Sequence, residues 1–178
     1  MRRNQGRNMQ WILCAVIPLT LAMFSSHLWA LNSETNRATL RGLTGVRVLV
    51  EDLPPEAERE GLSKNQLEEN VELKLGTVGI RTFTDEECRT TPGEPYLYIN
   101  INLSTLKTER DIYSYSIDIG LIQDVTLQRS PAQTTYAITW STGGVGLISK
   151  KQLSELQESV EDLVAIFLKA FFSVNPKK

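Results

Sequence analysis

Nucleophilic catalysis and metal binding most often use histidine or cysteine side chains, and this chain has few of either. Its single histidine is His27 and its two cysteines are Cys14 and Cys88. His27 and Cys14 both fall within residues 1–30. If that segment is removed, Cys88 is the only one of the three that remains. Such a chain would have no Ser-His or Cys-His dyad, no histidine-ligated metal and no internal disulfide.

Residues 1–30 have the organisation of an export signal. They begin with several arginines, continue with an apolar stretch over residues 11–24, and end at Leu28-Trp29-Ala30. A positive start, a short apolar core and a small residue at the cut are typical of a secretory signal peptide. The apolar stretch is shorter than the roughly 20 residues that a spanning helix needs. We therefore predict cleavage after Ala30, a periplasmic or secreted location, and no permanent membrane anchor after cleavage.

The remaining thiol is predicted to be unreactive. Cys88 directly follows Asp85, Glu86 and Glu87. Negative neighbours disfavour the thiolate, which is the nucleophilic form of cysteine. An unpaired cysteine in an exported protein does leave open a disulfide-linked dimer.

The glycine-rich run Gly143-Gly144-Val145-Gly146 resembles a phosphate-binding loop only superficially. Leu147 stands where a phosphate-binding loop needs lysine, and Ser149 stands where the dinucleotide fingerprint needs a third glycine. We predict a flexible turn ahead of a helix that Ser149 begins. The alternative is a loop that closes over a ligand, in which backbone N–H groups and the helix start hold an anion. The residues of that loop are Gly143, Gly144, Gly146 and Ser149.

Acidic residues offer no identifiable catalytic pair. Those of the last predicted helix lie mostly off its apolar stripe, as on a solvated face, and no acidic segment has calcium-binding spacing. We predict no catalytic residues, no metal and no cofactor. The full chain carries a formal charge of −2, and loss of the N-terminal arginines makes the remainder more acidic. An acidic chain without a basic stripe is a poor candidate for binding nucleic acid.

Hydrophobic periodicity predicts an α+β fold. A β-branched strand at residues 46–51 precedes a helix capped by Ser63. A short strand at residues 80–84 and three long alternating strands follow, and a second helix ends at Asn175-Pro176. The order β-α-β-β-β-β-α with half-apolar strands predicts a two-layer sandwich, with a mostly antiparallel sheet and two helices on one face. The predicted long strands are residues 95–106, 112–127 and 134–142. Residues 31–43 are predicted to be a flexible leader, and residues 44–178 a single domain.

The sheet face opposite the helices is the predicted binding surface. Alternation in the last long strand assigns Tyr136, Ile138 and Trp140 to the helix side. The other side is then rich in tyrosine, asparagine and hydroxyl groups, with few charges. Rigid aromatic area combined with adaptable hydrogen bonding is typical of recognition surfaces. The predicted binding residues are Tyr96, Tyr98, Asn100, Asn102, Ser114, Ser116, Asp118 and Thr139.

Three segments carry a resemblance to known proteins. The runs VRVLVEDL at residues 46–53, PGEPYLY at 92–98 and TWSTG at 139–143 resemble a set of small exported bacterial proteins of uncharacterised activity. The helix-backed sheet more loosely looks like periplasmic modules such as the TolB amino-terminal domain. The resemblance implies a bacterial source and an envelope or extracellular location, and it implies no activity.

These observations favour a non-enzymatic, exported binding or assembly module of the bacterial envelope. Its partner would be a protein or another envelope component, and a homo-oligomer is possible. One alternative is a periplasmic small-molecule or carbohydrate binder that uses the glycine run at residues 143–146. A further alternative is a hydrolase with carboxylate chemistry, for which the sequence names no residues.

Overall fold

The computed structural model describes residues 31–105 and 111–176, so the predicted signal peptide lies outside the described residues. The described residues form eleven helices and strands. In chain order they are α1 (Glu34–Ala38), β1 (Gly45–Val50), α2 (Pro55–Arg59), α3 (Lys64–Thr77), β2 (Arg81–Thr82), α4 (Asp85–Thr90), β3 (Tyr96–Thr105), β4 (Ile112–Leu127), β5 (Ser130–Ser149), a 3-10 helix (Lys150–Glu155) and α5 (Leu156–Val174).

The five strands form one sheet in the order β2-β1-β3-β4-β5. Strand β1 runs parallel to both β2 and β3, whereas β3, β4 and β5 form an antiparallel meander. The predicted α+β fold with a mostly antiparallel sheet is therefore confirmed. The two long helices, α3 and α5, pack on the same face of the sheet.

The hydrophobic core lies between that face and the two helices. Strands β1, β3 and β4 contribute every second residue to it, as a one-sided sheet requires. Trp140 of β5 is fully buried, and its ring meets Phe167 of α5 edge-on at a centroid distance of 5.3 Å. Other fully buried core residues are Val46, Val48, Val50, Leu97, Ile99, Ile119, Leu121, Leu75 and Val164.

Residues 31–43 are ordered rather than a flexible leader. Ser33 caps α1, and the side chain of Leu40 is fully buried in the core. Asn32 Oδ1 accepts a hydrogen bond from the Trp140 indole N–H at 3.1 Å, and Asn175 Nδ2 donates to the Leu40 carbonyl at 2.8 Å. The polar composition of this segment predicted a flexible leader. Composition alone does not reveal that its polar groups form hydrogen bonds with the sheet and with the residue that follows α5.

The second long helix begins later than predicted. Ser149 is the last residue of β5, and the 3-10 helix separates it from the start of α5 at Leu156. The Ser149 hydroxyl donates to Gln152 Oε1 at 2.6 Å and makes no cap to a backbone N–H. The predicted cap at Ser63 is confirmed, since its side chain accepts from the N–H of Gln66.

The glycine run is part of a strand, and the predicted flexible turn is wrong. Strand β5 continues through Gly143, Gly144 and Gly146, which pair with residues of β4. A Cβ at Gly146 would lie 2.7 Å from the Tyr115 hydroxyl, and one at Gly143 would lie 2.8 Å from the Ile117 carbonyl oxygen. Glycine therefore serves close packing between two strands here, a use that a single sequence cannot separate from a turn.

A β-bulge reverses the predicted sides of β5. Leu121 pairs with Trp140 but the next residue, Ile122, pairs with Ile138, so Thr139 is the extra residue. A bulge shifts the alternation of side chains by one position. Ile138 and Tyr136 are consequently exposed on the face away from the helices, contrary to the prediction, whereas Trp140 faces the core as predicted.

Candidate functional site

The candidate site is the sheet face away from α3 and α5, called here the open face. The register of β3 with β4 places most of the predicted binding residues on it in opposed pairs. Asn100 lies opposite Asp118, and Asn102 lies opposite Ser116. The predicted residues that share this face are Tyr96, Tyr98, Asn100, Asn102, Ser114, Ser116 and Asp118.

Thr139 does not belong to the open face. Its hydroxyl accepts a hydrogen bond from Gln123 Nε2 at 2.7 Å, and the same amide reaches the carbonyl of Thr39 just after α1. The physical reason is the bulge, which turns Thr139 toward the N-terminal segment. The sequence prediction assumed uninterrupted alternation and therefore assigned Thr139 to the wrong side of the sheet.

Four apolar side chains of β5, which we call the β5 stripe, are exposed on the open face although the sequence analysis did not place them there. They are Tyr136, Ile138, Val145 and Leu147, with exposed fractions of 56, 50, 50 and 67%. The alternation of Val145 with Leu147 signals a half-exposed strand, but the adjacent glycines obscured it. Ile138 pairs with Ile122 of β4, which in turn pairs with Tyr96 of β3, so the open face is more apolar than predicted.

One corner of the open face is closed by α4. Arg47 Nε donates to Asp85 Oδ1 at 2.8 Å, and this contact holds the pKa of Asp85 below its usual value. The Phe83 ring packs against Gly45, where a Cβ would lie 2.8 Å from the ring. Arg47 is thus engaged with α4 and is not a free cation for a ligand.

The thiol of Cys88 is fully buried beneath this corner. Its Sγ lies 3.6 Å from the Pro95 carbonyl oxygen, and burial is the main cause that raises the pKa of the thiol. The prediction of an unreactive thiol agrees with this setting. Burial of the sulfur argues against the disulfide-linked dimer that the sequence left open, because a second molecule cannot reach Cys88 in the folded chain.

Two tyrosines of the open face are held by carboxylates. The Tyr98 hydroxyl donates to the Glu51 carboxylate, and the Tyr136 hydroxyl donates to Glu94 Oε2 at 2.7 Å. The hydrogen bond to Glu94 raises the pKa of Tyr136 from 10.0 to about 12. These contacts fix the ring orientations before any partner arrives, which lowers the entropy lost on binding.

Tyr136 is expected to ionise well above the ordinary pKa of a tyrosine. Because its folded pKa is raised, the contact with Glu94 stabilises the fold below pH 10.0 and is lost as the pH rises through about 12. Replacing Glu94 by glutamine removes the charge and should return the pKa of Tyr136 toward its ordinary value of about 10. Ultraviolet difference titration of the E94Q variant, with Tyr136→Phe as the assignment control, measures this. An unchanged high-pH transition in E94Q would contradict the contact.

A shallow concavity of ≈ 530 Å³ lies on the open face across β3, β4 and β5, near the C-terminal ends of β3 and β5 and the start of β4. Asn102 Nδ2 donates to Asn100 Oδ1 at 3.0 Å and Ser114 Oγ donates to the Ser104 carbonyl at 3.3 Å, so the polar groups of its floor largely satisfy one another. The described residues of its lining include no carboxylate and no cationic side chain. The residues that line it are Asn102, Leu103, Ser104, Ser114, Tyr115, Ser116, Val145, Gly146 and Leu147.

The geometry does not assemble the predicted ligand loop. Gly143, Gly144 and Gly146 are residues of β5 that pair with β4, and Ser149 is the last residue of the same strand, so they do not form a loop that could close over a ligand. Among the described residues, no group of three or more His, Cys, Asp or Glu side chains is placed to hold a metal ion.

The acids of the last helix remain spread over a solvated surface. Glu155, Glu158 and Asp162 are exposed, and Glu161 is half-buried beside Lys74. Within residues 31–105 and 111–176, no helix is both long and apolar enough to cross a bilayer.

Comparison with known proteins yields little. No protein-family model matches the chain, and no curated protein matches it. Among solved structures, the chain is similar to the rare lipoprotein B from Shewanella oneidensis, with 12% sequence identity and a TM-score of 0.26. The alignment covers 74% of this chain and 88% of that one, and a TM-score of this size does not establish a shared fold.

Proposed function

We propose that this protein is an exported, non-enzymatic binding module whose open face captures a protein partner of the bacterial envelope. The observation that carries the proposal is the β5 stripe, which leaves four apolar side chains at least half exposed on one strand. They form two exposed apolar pairs, Tyr136 with Ile138 and Val145 with Leu147, with Ser141 and Gly143 between the pairs on the open face. Exposed apolar clusters rimmed by polar groups mark an interaction surface. The export signal predicted in residues 1–30 supports the location.

The rest of the open face suits a partner with a broad, mostly uncharged surface. Tyr96 and Tyr98 supply aromatic area, and their neighbours Asn100 and Ser116 supply amide and hydroxyl groups. Aromatic side chains are enriched at the energetic centres of interfaces. The shallow concavity offers an open shelf rather than an enclosed pocket, which fits a protein surface better than a small molecule.

The structure gives less support to the two alternatives that the sequence left open, a small-molecule binder and a hydrolase. The small-molecule hypothesis used Gly143, Gly144, Gly146 and Ser149 as a loop, and these residues lie in β5. The hydrolase hypothesis needs two carboxylates at a defined separation across a bound sugar. On the open face Asp118 lies opposite Asn100 and Gly143, so no second carboxylate faces it across either strand pair.

Site-specific photocrosslinking tests the proposal. A photoreactive residue replaces Ile138 in the open face, in the cells that make the protein, and Leu73 on α3 serves as the matched control at 68% exposure. We expect an adduct with a different polypeptide at Ile138 and none at Leu73. Combining the probe with Tyr98→Ala should lower the adduct yield at least about fivefold, as at other interface tyrosines. The intact mass of the recovered protein should correspond to a chain that begins at Leu31.

Two results would contradict the proposed function. One is equal crosslinking at Ile138 and Leu73, which indicates random encounters. The other is no adduct at Ile138 although the protein is folded and exported. Unfolding of Tyr98→Ala would show that its ring has a structural role, and Tyr96→Ala on the same face then takes its place.

A further inference from the structure

Strand β5 is an edge strand with little protection against pairing. Its second half, from Trp140 to Ser149, contains neither charged residues nor proline. Natural proteins usually guard edge strands with lysine, proline or a covering segment, because unpaired backbone groups attract another strand. The absence of such guards in this half of β5 requires an explanation.

The N-terminal segment covers only part of this edge. The N–H of Ser141 donates to the Leu31 carbonyl at 3.1 Å, and Asn36 Nδ2 donates to the Thr139 carbonyl at 3.1 Å. Backbone groups of alternate strand residues point to the same side. Those of Gly143, Val145 and Leu147 therefore point away from β4 as Ser141 does, and no hydrogen bond from any described residue reaches them.

We propose that a second copy of this chain pairs with this free edge. The two β5 strands run antiparallel, with Val145 opposite its own counterpart and Gly143 opposite Leu147 of the other copy. This register makes about six backbone hydrogen bonds, because each facing pair exchanges two. It joins the two sheets about a two-fold axis, and such isologous contacts are the commonest way in which homodimers close.

Side-chain sizes favour a second copy in this register. Gly143, Val145 and Leu147 all project onto the open face, as their pairing with Asp118, Ser116 and Ser114 shows. Each Leu147, which is 67% exposed in one copy, would lie beside the Gly143 of the other, which brings no side chain of its own. The Asp118 side chain, whose Oδ1 lies 2.8 Å from where a Gly143 Cβ would be, has to rotate aside to make this room. The two valines would meet at the axis, so a large residue faces a small one on both sides of it.

The boundaries of the free segment and its neutrality also fit a second copy. At one end Leu31 already occupies the edge at Ser141, and at the other end the chain turns into the 3-10 helix after Ser149. The two-fold register pairs residues 143–147 of each copy and ends at these limits. Neither strand brings a charge to the axis, so burial of this segment leaves no ion unpaired.

The expected dimer is weak, because five paired residues bury less area than a standard stable interface of about 1,600 Å². A dissociation constant in the range of about 1–100 μM is typical of such small contacts. In the dimer the two β5 stripes and the two concavities lie on the same side of a continuous sheet. The inference goes beyond the proposed function, because self-association uses the backbone edge at Val145 whereas partner capture is probed at the side chain of Ile138.

Charge exchange at Val145 tests the proposal by sedimentation velocity of the purified chain over a range of concentrations. We expect the wild type to dimerise, and Val145→Lys and Val145→Glu to weaken dimerisation at least about tenfold, because like charges would face each other at the axis. An equimolar mixture of the two variants should restore the dimer, since the charges are then opposite. Leu73→Lys, at a position 68% exposed on α3, is the matched control and should dimerise as the wild type does.

A wild type that remains monomeric at concentrations well above about 100 μM would overturn the proposal. So would a Val145→Lys variant that dimerises as well as the wild type, or a mixture that shows no restoration. If Ile138 crosslinks to another polypeptide while the wild type stays monomeric, the second copy is excluded and the proposed function survives. Should both Val145 variants fail to fold, Leu147→Glu repeats the test away from the axis. Its carboxylate would face Asp118 beside Gly143 of the other copy, so dimerisation should again weaken at least about tenfold, and an unchanged dimer would contradict the register.

Discussion

Replacing Trp140 by alanine is expected to lower the free energy of unfolding by about 3–5 kcal/mol. The indole is fully buried and its ring packs edge-on against Phe167 of α5. Its N–H also donates to Asn32, so the one side chain joins β5, the N-terminal segment and the last helix. Removal would leave a large cavity and an amide without its donor. Urea denaturation, with the slope compared between variants, measures the loss.

Ile138→Ala is the matched control on the same strand. Simple alternation places Ile138 and Trp140 on one side of the sheet, and truncation of either would then be similarly costly. The bulge at Thr139 instead leaves the Ile138 side chain 50% exposed on the open face. We expect a loss below about 1 kcal/mol for Ile138→Ala, as for other partly exposed positions. Comparable losses for the two variants would show that the strand has no bulge.

This contrast indicates which parts of the fold a sequence can reveal. The predicted strands β3 and β4 agree with the structure because their side-chain alternation is uninterrupted. The first long helix agrees with it from its cap at Ser63, whereas the second begins later than predicted. Trp140 was also placed correctly, because the alternation assigned it to the helix side. The bulge was not predictable, because one extra residue changes the sides of Tyr136 and Ile138 without changing the local composition.

The N-terminal segment shows a second limit of the sequence. Its polar residues Asn32 and Asn36 contact residues more than one hundred positions away in β5. Local composition cannot report such contacts, so a segment that binds the sheet has the same polar character as a linker. Leu40, which is fully buried, and Leu43, which packs against the core, are the apolar residues that hold this segment to the domain.

The candidate site was predictable in character but not in extent. The alternation in β3 and β4 identified its tyrosine, asparagine and serine residues. Its apolar part depends on β5, where the bulge hid Ile138 and the glycines hid Val145 and Leu147. A surface that looked polar and adaptable in the sequence is therefore half apolar in the structure, and this difference strengthens the case for a protein partner over a small polar ligand.

Gly143→Ala is expected to lower the free energy of unfolding by about 1–3 kcal/mol, the usual cost of overpacking. The new methyl group would lie 2.8 Å from the Ile117 carbonyl oxygen and 2.8 Å from Asp118 Oδ1. The Asp118 side chain can rotate away, but the Ile117 carbonyl belongs to the backbone of β4. The two strands would have to separate locally or twist, which weakens neighbouring pairs.

Gly144→Ala is the control, because a Cβ there meets nothing within 4 Å and its backbone has no positive φ. Alanine should then stabilise the protein by about 0.4–1 kcal/mol through the unfolded chain, or leave it unchanged. In a flexible turn the two neighbouring substitutions would have similar, small effects. Equal melting midpoints for Gly143→Ala and Gly144→Ala would therefore contradict the continuous β5 strand, on which the exposed positions of Val145 and Leu147 depend. A difference of the predicted sign ties these glycines to strand packing rather than to ligand binding.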